Sequence, residues 1–328
     1  MLLQGIFPPI TTPFYADGRV YFKKLESNVE RYSRSPVSGL VVLGSTGEAI
    51  LLSEQERRDV LRSARQAASP EKVLLAGTGC ESALETLRLT EYAAELGYDV
   101  AMVRTPHYYK AQIEQPQNML AFYRFVADRS PLPVLLYNFP QATAYDIPAD
   151  VVVALAAHPN VIGLKEANAS LDKLRLMVEG AAHVRRTVQV TDTFQAVTPR
   201  MVQAAAEGGL KVRGKEVGFQ ILVGSANRFF DLLQAGAVGG ILSFADAAPT
   251  AMYEIYAAWK EGGQELAEEK QKRLALAAAR VGGDLGIPGV KYACDLNGYY
   301  GGPVRLPLLP LTAEVRAEVE QLMASVPN

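Results

Sequence analysis

The feature that most constrains this chain is a series of short apolar runs, each followed by a longer amphipathic stretch. Runs of four or five uncharged residues rich in β-branched side chains are typical of strands buried on both faces of a parallel sheet. Seven such runs occur, and a weaker eighth covers residues 5–11. The seven runs are residues 39–43, 73–76, 100–103, 134–137, 161–164, 219–223 and 240–244.

The stretches between these runs carry helix signals. Ser53 with Glu56, and Ser82 with Glu85, have the spacing of a capping box at a helix start. Eight strands alternating with helices over about 250 residues is the count of a (β/α)8 barrel, the TIM barrel. The competing doubly wound sheet expects a G-x-G-x-x-G turn after an early strand, and residues 44–48 do not provide one. The sequence therefore predicts an α/β fold of the (β/α)8 class.

Two regions depart from this alternation. Residues 185–218 are predicted to be an insertion with a short strand (VQVTD), a helix over 199–207 and a charged loop over 211–216. Residues 250–281 are Ala-rich and helical, 282–288 break the pattern, and 313–324 are helical again. We therefore predict a barrel over 1–249, interrupted at 185–218, and a small helical C-terminal subdomain over 250–328.

Composition excludes several classes of function. The net charge is −2, and no basic stripe offers a surface for nucleic acid. No run reaches the roughly 18 apolar residues of a membrane helix, and no secretion signal opens the chain. Two cysteines and three scattered histidines show no metal-ligand spacing. The expectation is a soluble, cytoplasmic protein without metal, cofactor, nucleic-acid partner or membrane.

Reactive groups of such barrels lie where strands end, and Lys165 ends the apolar run VIGLK. A buried amine tends to be neutral, and a neutral amine can attack a carbonyl to form a Schiff base. The alternative is a lysine that extends to the rim and pairs with Glu166. Tyr137 ends the preceding strand, close enough to exchange protons with a substrate on Lys165. The alternative for Tyr137 is a core residue with a satisfied hydroxyl.

The loop GSTGE after the second run combines glycines with the hydroxyls of Ser45 and Thr46. Such a loop can present backbone N–H groups to a carboxylate, which suits a small keto acid. Gly, Ser and Thr also populate ordinary turns, so the motif alone does not decide. His107, near the same end of the barrel, is interpreted as rim packing.

Together these motifs resemble those of the dihydrodipicolinate synthase and N-acetylneuraminate lyase superfamily of Schiff-base aldolases. The match covers nearly the whole chain through GIFPPITTPF, DGRV, GSTGE, TPHYY, YNFP, GLKEA, GAVGGILS and LGIPGVK. The resemblance implies a lyase in which Lys165 forms an imine with pyruvate, without a cofactor. It also implies an aldehyde co-substrate and a homotetramer built as a dimer of dimers.

The resemblance also assigns roles to individual residues. Tyr137 of YNFP would be the acid/base, and Thr46 would join the proton relay and, with Ser45 and Gly47, bind the pyruvate carboxylate. Leu242 of GAVGGILS would complete the substrate site. Tyr108 fits the relay tyrosine that a neighbouring subunit usually lends, although Tyr109 is the alternative in the next register.

Within the superfamily, the chain most resembles 4-hydroxy-2-oxoglutarate aldolase, which forms pyruvate and glyoxylate. The segments that carry this resemblance are LLAGTGCES, AMVRTPHYY and GIPGVKYACDLNGYYGGPVRLPL. Dihydrodipicolinate synthases typically carry an arginine two residues after YNxP, where this chain has Ala142. Loss of that carboxylate clamp counts against condensation of pyruvate with aspartate semialdehyde, which remains the alternative. The insertion at 185–218 is expected to alter access to the site.

One alternative of another class stays open, namely a catalytically silent barrel that binds a keto acid for regulation. The presence of Lys165, Tyr137, Thr46 and Tyr108 together favours an enzyme, because a silent relative has no chemical need for all four.

Overall fold

The protein is described by a computed structural model over residues 1–168, 170–205 and 209–327, and these residues form ten strands and fourteen α-helices. The strands are β1 (Gly5–Ile6), β2 (Gly39–Val42), β3 (Val73–Gly77), β4 (Val100–Arg104), β5 (Val134–Asn138), β6 (Val161–Glu166), β7 (Arg186–Thr191), β8 (Val212–Val217), β9 (Gln220–Val223) and β10 (Gly239–Gly240). The helices are α1 (Phe22–Arg34), α2 (Glu54–Ala67), α3 (Ala83–Glu95), α4 (Lys110–Ile113), α5 (Pro116–Arg129), α6 (Pro140–Thr143), α7 (Ala149–Ala156), α8 (Leu171–Gly180), α9 (Pro199–Ala204), α10 (Phe229–Gln234), α11 (Pro249–Lys260), α12 (Gln264–Ala277), α13 (Gly286–Leu296) and α14 (Ala313–Met323).

Eight of the strands form one parallel sheet in the order β1-β10-β9-β6-β5-β4-β3-β2, with helices between successive strands. This is the (β/α)8 barrel, so the predicted fold class is confirmed. The strands β3 to β6 are almost completely buried, which explains why their sequences are apolar on both faces. The register pairs Tyr137 of β5 with Lys165 of β6, and Lys165 with Leu222 of β9.

Contacts between residues divide the chain into two compact units. The first comprises Met1–Gln4, Val73–Gly224 and Leu232–Gly239, and the second comprises Gly5–Lys72, Ser225–Asp231 and Gly240–Asn328. The boundary drawn from the sequence between 249 and 250 stays a prediction.

The two ends of the barrel sequence contain less strand than the apolar runs indicated. The run at 5–11 gives only Gly5–Ile6, because Pro8 and Pro9 have no N–H to donate to a neighbouring strand. The run at 240–244 gives only Gly239–Gly240, and Ser243–Asp246 form a 3₁₀ turn. Leu242 and Phe244 are nevertheless fully buried, so this apolar run signalled burial rather than an extended backbone.

The two predicted capping boxes differ in outcome. At α2 the Ser53 hydroxyl accepts from the Glu56 N–H and the Glu56 carboxylate accepts from the Ser53 N–H, so this box is confirmed. At α3 the Ser82 hydroxyl accepts from the Leu84 N–H, while the Glu85 carboxylate binds Arg88.

The insertion at 185–218 is an antiparallel hairpin of β7 and β8 with α9 between the two strands. The predicted strand at VQVTD and the predicted helix from 199 are found, and residues 206 and 207 of that helix lie outside the described residues. The predicted charged loop at 211–216 is wrong, because Val212–Val217 is strand β8. Pairing with β7 satisfies its backbone, and its charged side chains are largely exposed to solvent.

The position of the insertion follows from its contacts in the first unit. Arg200 of α9 forms a buried ion pair with Asp99, whose carboxylate also accepts from the Leu74 N–H. Asp99 immediately precedes β4 and Leu74 is near the start of β3, so the insertion packs at the amino ends of these strands. Lys165 lies near the carboxyl end of β6. The expectation that the insertion alters access to the site is therefore wrong, since it packs at the opposite ends of the strands.

After β10 the second unit is helical. A π-helical segment, Ala278–Asp284, continues from the end of α12, and α13 begins two residues after it at Gly286. The break predicted at 282–288 is found only at Leu285, between the end of the π-helical segment and the start of α13. The helical prediction at 313–324 is confirmed by α14. None of the helices in the described parts of the chain is both long and apolar enough to pass through a bilayer.

Candidate functional site

Lys165 lies near the carboxyl end of β6, and its side chain is 4% exposed. Its Nζ lies over the aromatic ring of Tyr137, 4.1 Å from the ring centroid. The pairing of these two residues in the β5–β6 register places their side chains on the same face of the sheet. The alternative of a lysine extended to the solvent does not hold, because the amine is buried against the tyrosine.

The residues that follow Tyr137 and Lys165 form a polar cluster, in line with the alternation of side chains along a strand. Asn138 donates from its amide nitrogen to Glu166 at 2.8 Å and to Asp146 at 2.6 Å, and its amide oxygen accepts from the Ile147 N–H at 3.0 Å. Both N–H donors and the oxygen of this buried amide are therefore hydrogen-bonded. The cluster connects β5, β6 and the segment after α6 beside Tyr137 and Lys165.

Glu166 is completely buried, and two further groups stabilise its carboxylate. One oxygen accepts from the Asn168 N–H at 2.9 Å, and the other lies 3.3 Å from the Lys173 Nζ. Lys173 also pairs with Asp146. A buried carboxylate held by a cation and two N–H donors is expected to fix its strand firmly.

Tyr108 lies beyond β4 and is 74% exposed, while its backbone is fixed. One oxygen of the Glu81 carboxylate accepts from the N–H groups of His107 and Tyr108, at 2.9 and 3.0 Å. The other oxygen accepts from Arg104 at 2.9 Å. Burial raises the pKa of Glu81, but these N–H donors and Arg104 outweigh it and leave that pKa below its usual value. His107 belongs to this cluster, with its Nδ1 2.6 Å from Glu81, and its interpretation as rim packing stays a prediction.

The GSTGE turn belongs to the second unit. Thr46 and Gly47 are buried and Ser45 is half-buried. The Thr12 hydroxyl donates to the Gly47 carbonyl at 2.6 Å, and a Cβ at Gly47 would lie 3.0 Å from the Ile10 carbonyl oxygen. A side chain at 47 would therefore crowd the backbone of residue 10.

The structure thus brings Lys165 and Tyr137 together within the first unit, and leaves Tyr108 exposed there. In the second unit Ser45, Thr46 and Gly47 share one turn, and Leu242 is fully buried. The sequence reasoning missed the polar cluster of Asn138 and Glu166, although both follow site residues directly in YN and KE. A polar residue after each strand-end residue was the available signal.

Among residues 1–168, 170–205 and 209–327, no group of three or more His, Cys, Asp or Glu side chains is arranged to hold a metal ion.

Known proteins with this fold and these motifs are class I aldolases and related lyases, and the chain is an enzyme of that class. The model of the dihydrodipicolinate synthetase family matches residues 2–218 and 210–326. The chain belongs to the dihydrodipicolinate synthetase family.

Individual relatives agree over the whole length of the chain. The 4-hydroxy-tetrahydrodipicolinate synthase of Methanothrix thermoacetophila is 30% identical over 99% of this chain and 97% of that protein. The chloride-inhibited dihydrodipicolinate synthase of Acinetobacter baumannii, solved with pyruvate, has a TM-score of 0.83 and 27% identity, over 99% of this chain and 100% of that one. YagE of Escherichia coli K12, a prophage protein of the same family also solved with pyruvate, has a TM-score of 0.82 and 27% identity, over 99% of each chain.

Proposed function

We propose that this enzyme is a pyruvate-dependent lyase that works through a Schiff base on Lys165. The observation that carries the proposal is the buried amine of Lys165, 4.1 Å from the Tyr137 ring centroid near the carboxyl end of a barrel strand. An amine shielded from water beside a proton-transferring phenol suits attack on a ketone. Pyruvate in two similar structures supports the choice of keto acid.

The chemistry assigned to this site balances without an external oxidant or reductant. The amine adds to the ketone carbon of pyruvate, water leaves, and the resulting imine loses a methyl proton to become an enamine. The enamine carbon forms a bond to an aldehyde carbon, and hydrolysis then frees the product and regenerates the amine. Cleavage is the same sequence in reverse.

The remaining site residues have the roles that the motifs imply. We assign proton transfer to Tyr137, with Thr46 and Tyr108 as the relay. Ser45, Thr46 and Gly47 would bind the pyruvate carboxylate, and Leu242 would line the substrate site. Because Tyr108 is 74% exposed, we assign it to the site of a neighbouring copy of the chain in a homotetramer.

For the second substrate, the relatives favour synthesis over the aldolase assignment derived from the motifs. Full-length relatives with 30% identity are named 4-hydroxy-tetrahydrodipicolinate synthase. This supports condensation of pyruvate with aspartate semialdehyde as the reaction of this chain.

One observation favours cleavage of 4-hydroxy-2-oxoglutarate as a second candidate. Ala142, at the position where synthases typically carry an arginine, is exposed on α6 and offers no charge to a second carboxylate. The ratio of kcat/KM for the two reactions decides between them. A ratio that favours cleavage would overturn the synthase assignment and leave the Schiff base untouched.

The Schiff base is tested by mass spectrometry after incubation with pyruvate and borohydride. Wild type is expected to gain one reduced pyruvyl group, and Lys165→Ala is expected to gain none. The control Lys110→Ala removes an exposed lysine of the same unit and should gain one group, as wild type does. An unmodified wild type would contradict the proposal. Thermal stabilisation of Lys165→Ala by pyruvate, with no turnover by wild type, would instead support a regulatory barrel.

A further inference from the structure

Glu48, the last residue of GSTGE, has a left-handed backbone conformation with φ of 55° and ψ of 29°. Residues other than glycine rarely adopt this region, and they persist in it where the surroundings hold them. Glu48 directly follows the Ser45–Gly47 segment, and its N–H donates to the Ser45 carbonyl at 3.0 Å. The conformation of Glu48 therefore sets the path of the turn.

The Glu48 side chain turns inward to a buried cation. Its Oε1 lies 2.5 Å from the Nζ of Lys291, and both side chains are 1% exposed or less. Lys291 is on α13, and its Nζ also donates to the Pro303 carbonyl at 2.7 Å and lies 4.3 Å from the centroid of the Phe14 ring. Burial lowers the pKa of Lys291, and the Glu48 carboxylate opposes that shift.

The second oxygen of Glu48 is held by Arg305, whose backbone N–H donates to Oε2 at 2.9 Å. The Arg305 guanidinium also lies against the Phe14 ring, 4.4 Å from its centroid. It also donates to the Gly18 carbonyl at 2.7 Å and to the Leu51 carbonyl at 3.0 Å, and pairs with Glu56. Lys291 and Arg305 thus bind the two oxygens of the Glu48 carboxylate, and Arg305 also binds the backbone at Gly18 and Leu51.

The segment between Lys291 and Arg305 passes very close to the backbone of α13. A Cβ at Gly301 would lie 1.9 Å from the Lys291 carbonyl oxygen, so only glycine fits. The Gly301 N–H donates to Asp295 of the same helix at 2.8 Å. The GYYGGP segment can therefore bring the Pro303 carbonyl to the Lys291 amine.

A buried ion pair is weak evidence for stability, since desolvation of the two charges offsets much of their attraction. It does fix geometry, because neither partner can move without leaving an unpaired charge. We propose that Lys291 and Arg305 are positioning residues that hold Glu48, and through it the Ser45–Gly47 turn, in the shape that binds the carboxylate of the keto acid. The inference rests on the proposed function.

The test compares pyruvate with methyl pyruvate, an ester with the same ketone and no charge. For each variant, the concentration that gives half-maximal borohydride trapping on Lys165 is measured by mass spectrometry. In Glu48→Gln and Lys291→Met we expect this concentration to rise about 10- to 100-fold for pyruvate, since small misplacements have effects of that size. For methyl pyruvate we expect a change of less than about twofold, and maximal trapping unchanged, because Lys165 itself is not displaced.

A matched control and a charge-free variant separate positioning from stability. Glu318→Gln removes a half-exposed ion pair with Arg280 on the same C-terminal region and should leave both concentrations unchanged. Glu48→Gln combined with Lys291→Met leaves no unpaired buried charge, so it should fold even where a single variant does not. It should still show the selective loss for pyruvate.

Equal losses for pyruvate and its ester, or wild-type pyruvate saturation in the double variant, would overturn the positioning role. A wild type that traps neither compound would instead overturn the proposed function, so the two failures are distinguishable.

Discussion

At the scale of single residues, Tyr137 makes two separable contributions at the site. Its ring covers the Lys165 amine and stacks on Phe139, with 6.0 Å between ring centroids. Its hydroxyl is the group assigned to proton transfer. Phenylalanine keeps the ring and removes only the hydroxyl, so the two contributions can be measured separately.

We therefore predict that Tyr137→Phe lowers kcat about 10²- to 10³-fold, the usual effect of losing an acid/base group. Borohydride trapping of pyruvate at long incubation should still reach one group per chain. The phenylalanine ring would still shield the Lys165 amine from water, so the amine can still form the imine. Steady-state kinetics measure the loss in kcat, and mass spectrometry measures the trapping. A kcat within about twofold of wild type would remove Tyr137 from proton transfer.

Single residues also show which contacts could be predicted from the sequence and which could not. Lys165 and Tyr137 were predictable because each ends an apolar run, and the structure places them in contact. Lys291 was not predictable, since it lies within a helix and its partner Glu48 is near the other end of the chain. Pairing of distant residues depends on the folded path of the chain, which local patterns do not encode.

At the scale of elements, the strands of the barrel centre were predictable and the short or charged ones were not. The run 134–137 became Val134–Asn138, because continuous apolarity reflects burial on both faces. The sequence VRGKEV of strand β8 predicts a loop, because it has the composition of a solvated segment. Its pairing with β7, set by tertiary context, overrode the weak strand propensity of glycine and the charged residues.

Helix α9 offers a prediction about stability. Arg200 and Asp99 are a buried pair, with 2.8 Å between Nη2 and Oδ2. Arg200→Met would leave the Asp99 charge buried beside the Leu74 N–H, which should lower the free energy of unfolding by about 3–5 kcal/mol. Because Arg200 lies at the amino ends of the strands, kcat/KM should stay within about twofold at temperatures where the variant is folded.

Urea unfolding and kinetics check this prediction, with Glu216→Gln as the control. That change removes an exposed pair with Arg185 on the same hairpin and should cost no more than about 1 kcal/mol. Loss of activity in folded Arg200→Met would show that the insertion communicates with the site.

At the scale of the whole molecule, the prediction concerns assembly. If Tyr108 serves the site of a neighbouring copy, Lys165→Ala and Tyr108→Phe subunits should each be nearly inactive alone. Mixed by unfolding and refolding together, they should recover about a quarter of wild-type activity, because half of the pairs are mixed and one site in each is complete. Mixtures that stay inactive would place Tyr108 outside the neighbour's site.

The hairpin at 186–217 has a practical consequence. Arg200 of its connecting helix α9 is held where β3 and β4 begin, whereas Lys165 lies near the carboxyl end of β6. An affinity handle or a surface linker inserted beside the exposed Asp192 would therefore attach the protein through this hairpin, and we expect it to leave the chemistry assigned to Lys165 undisturbed.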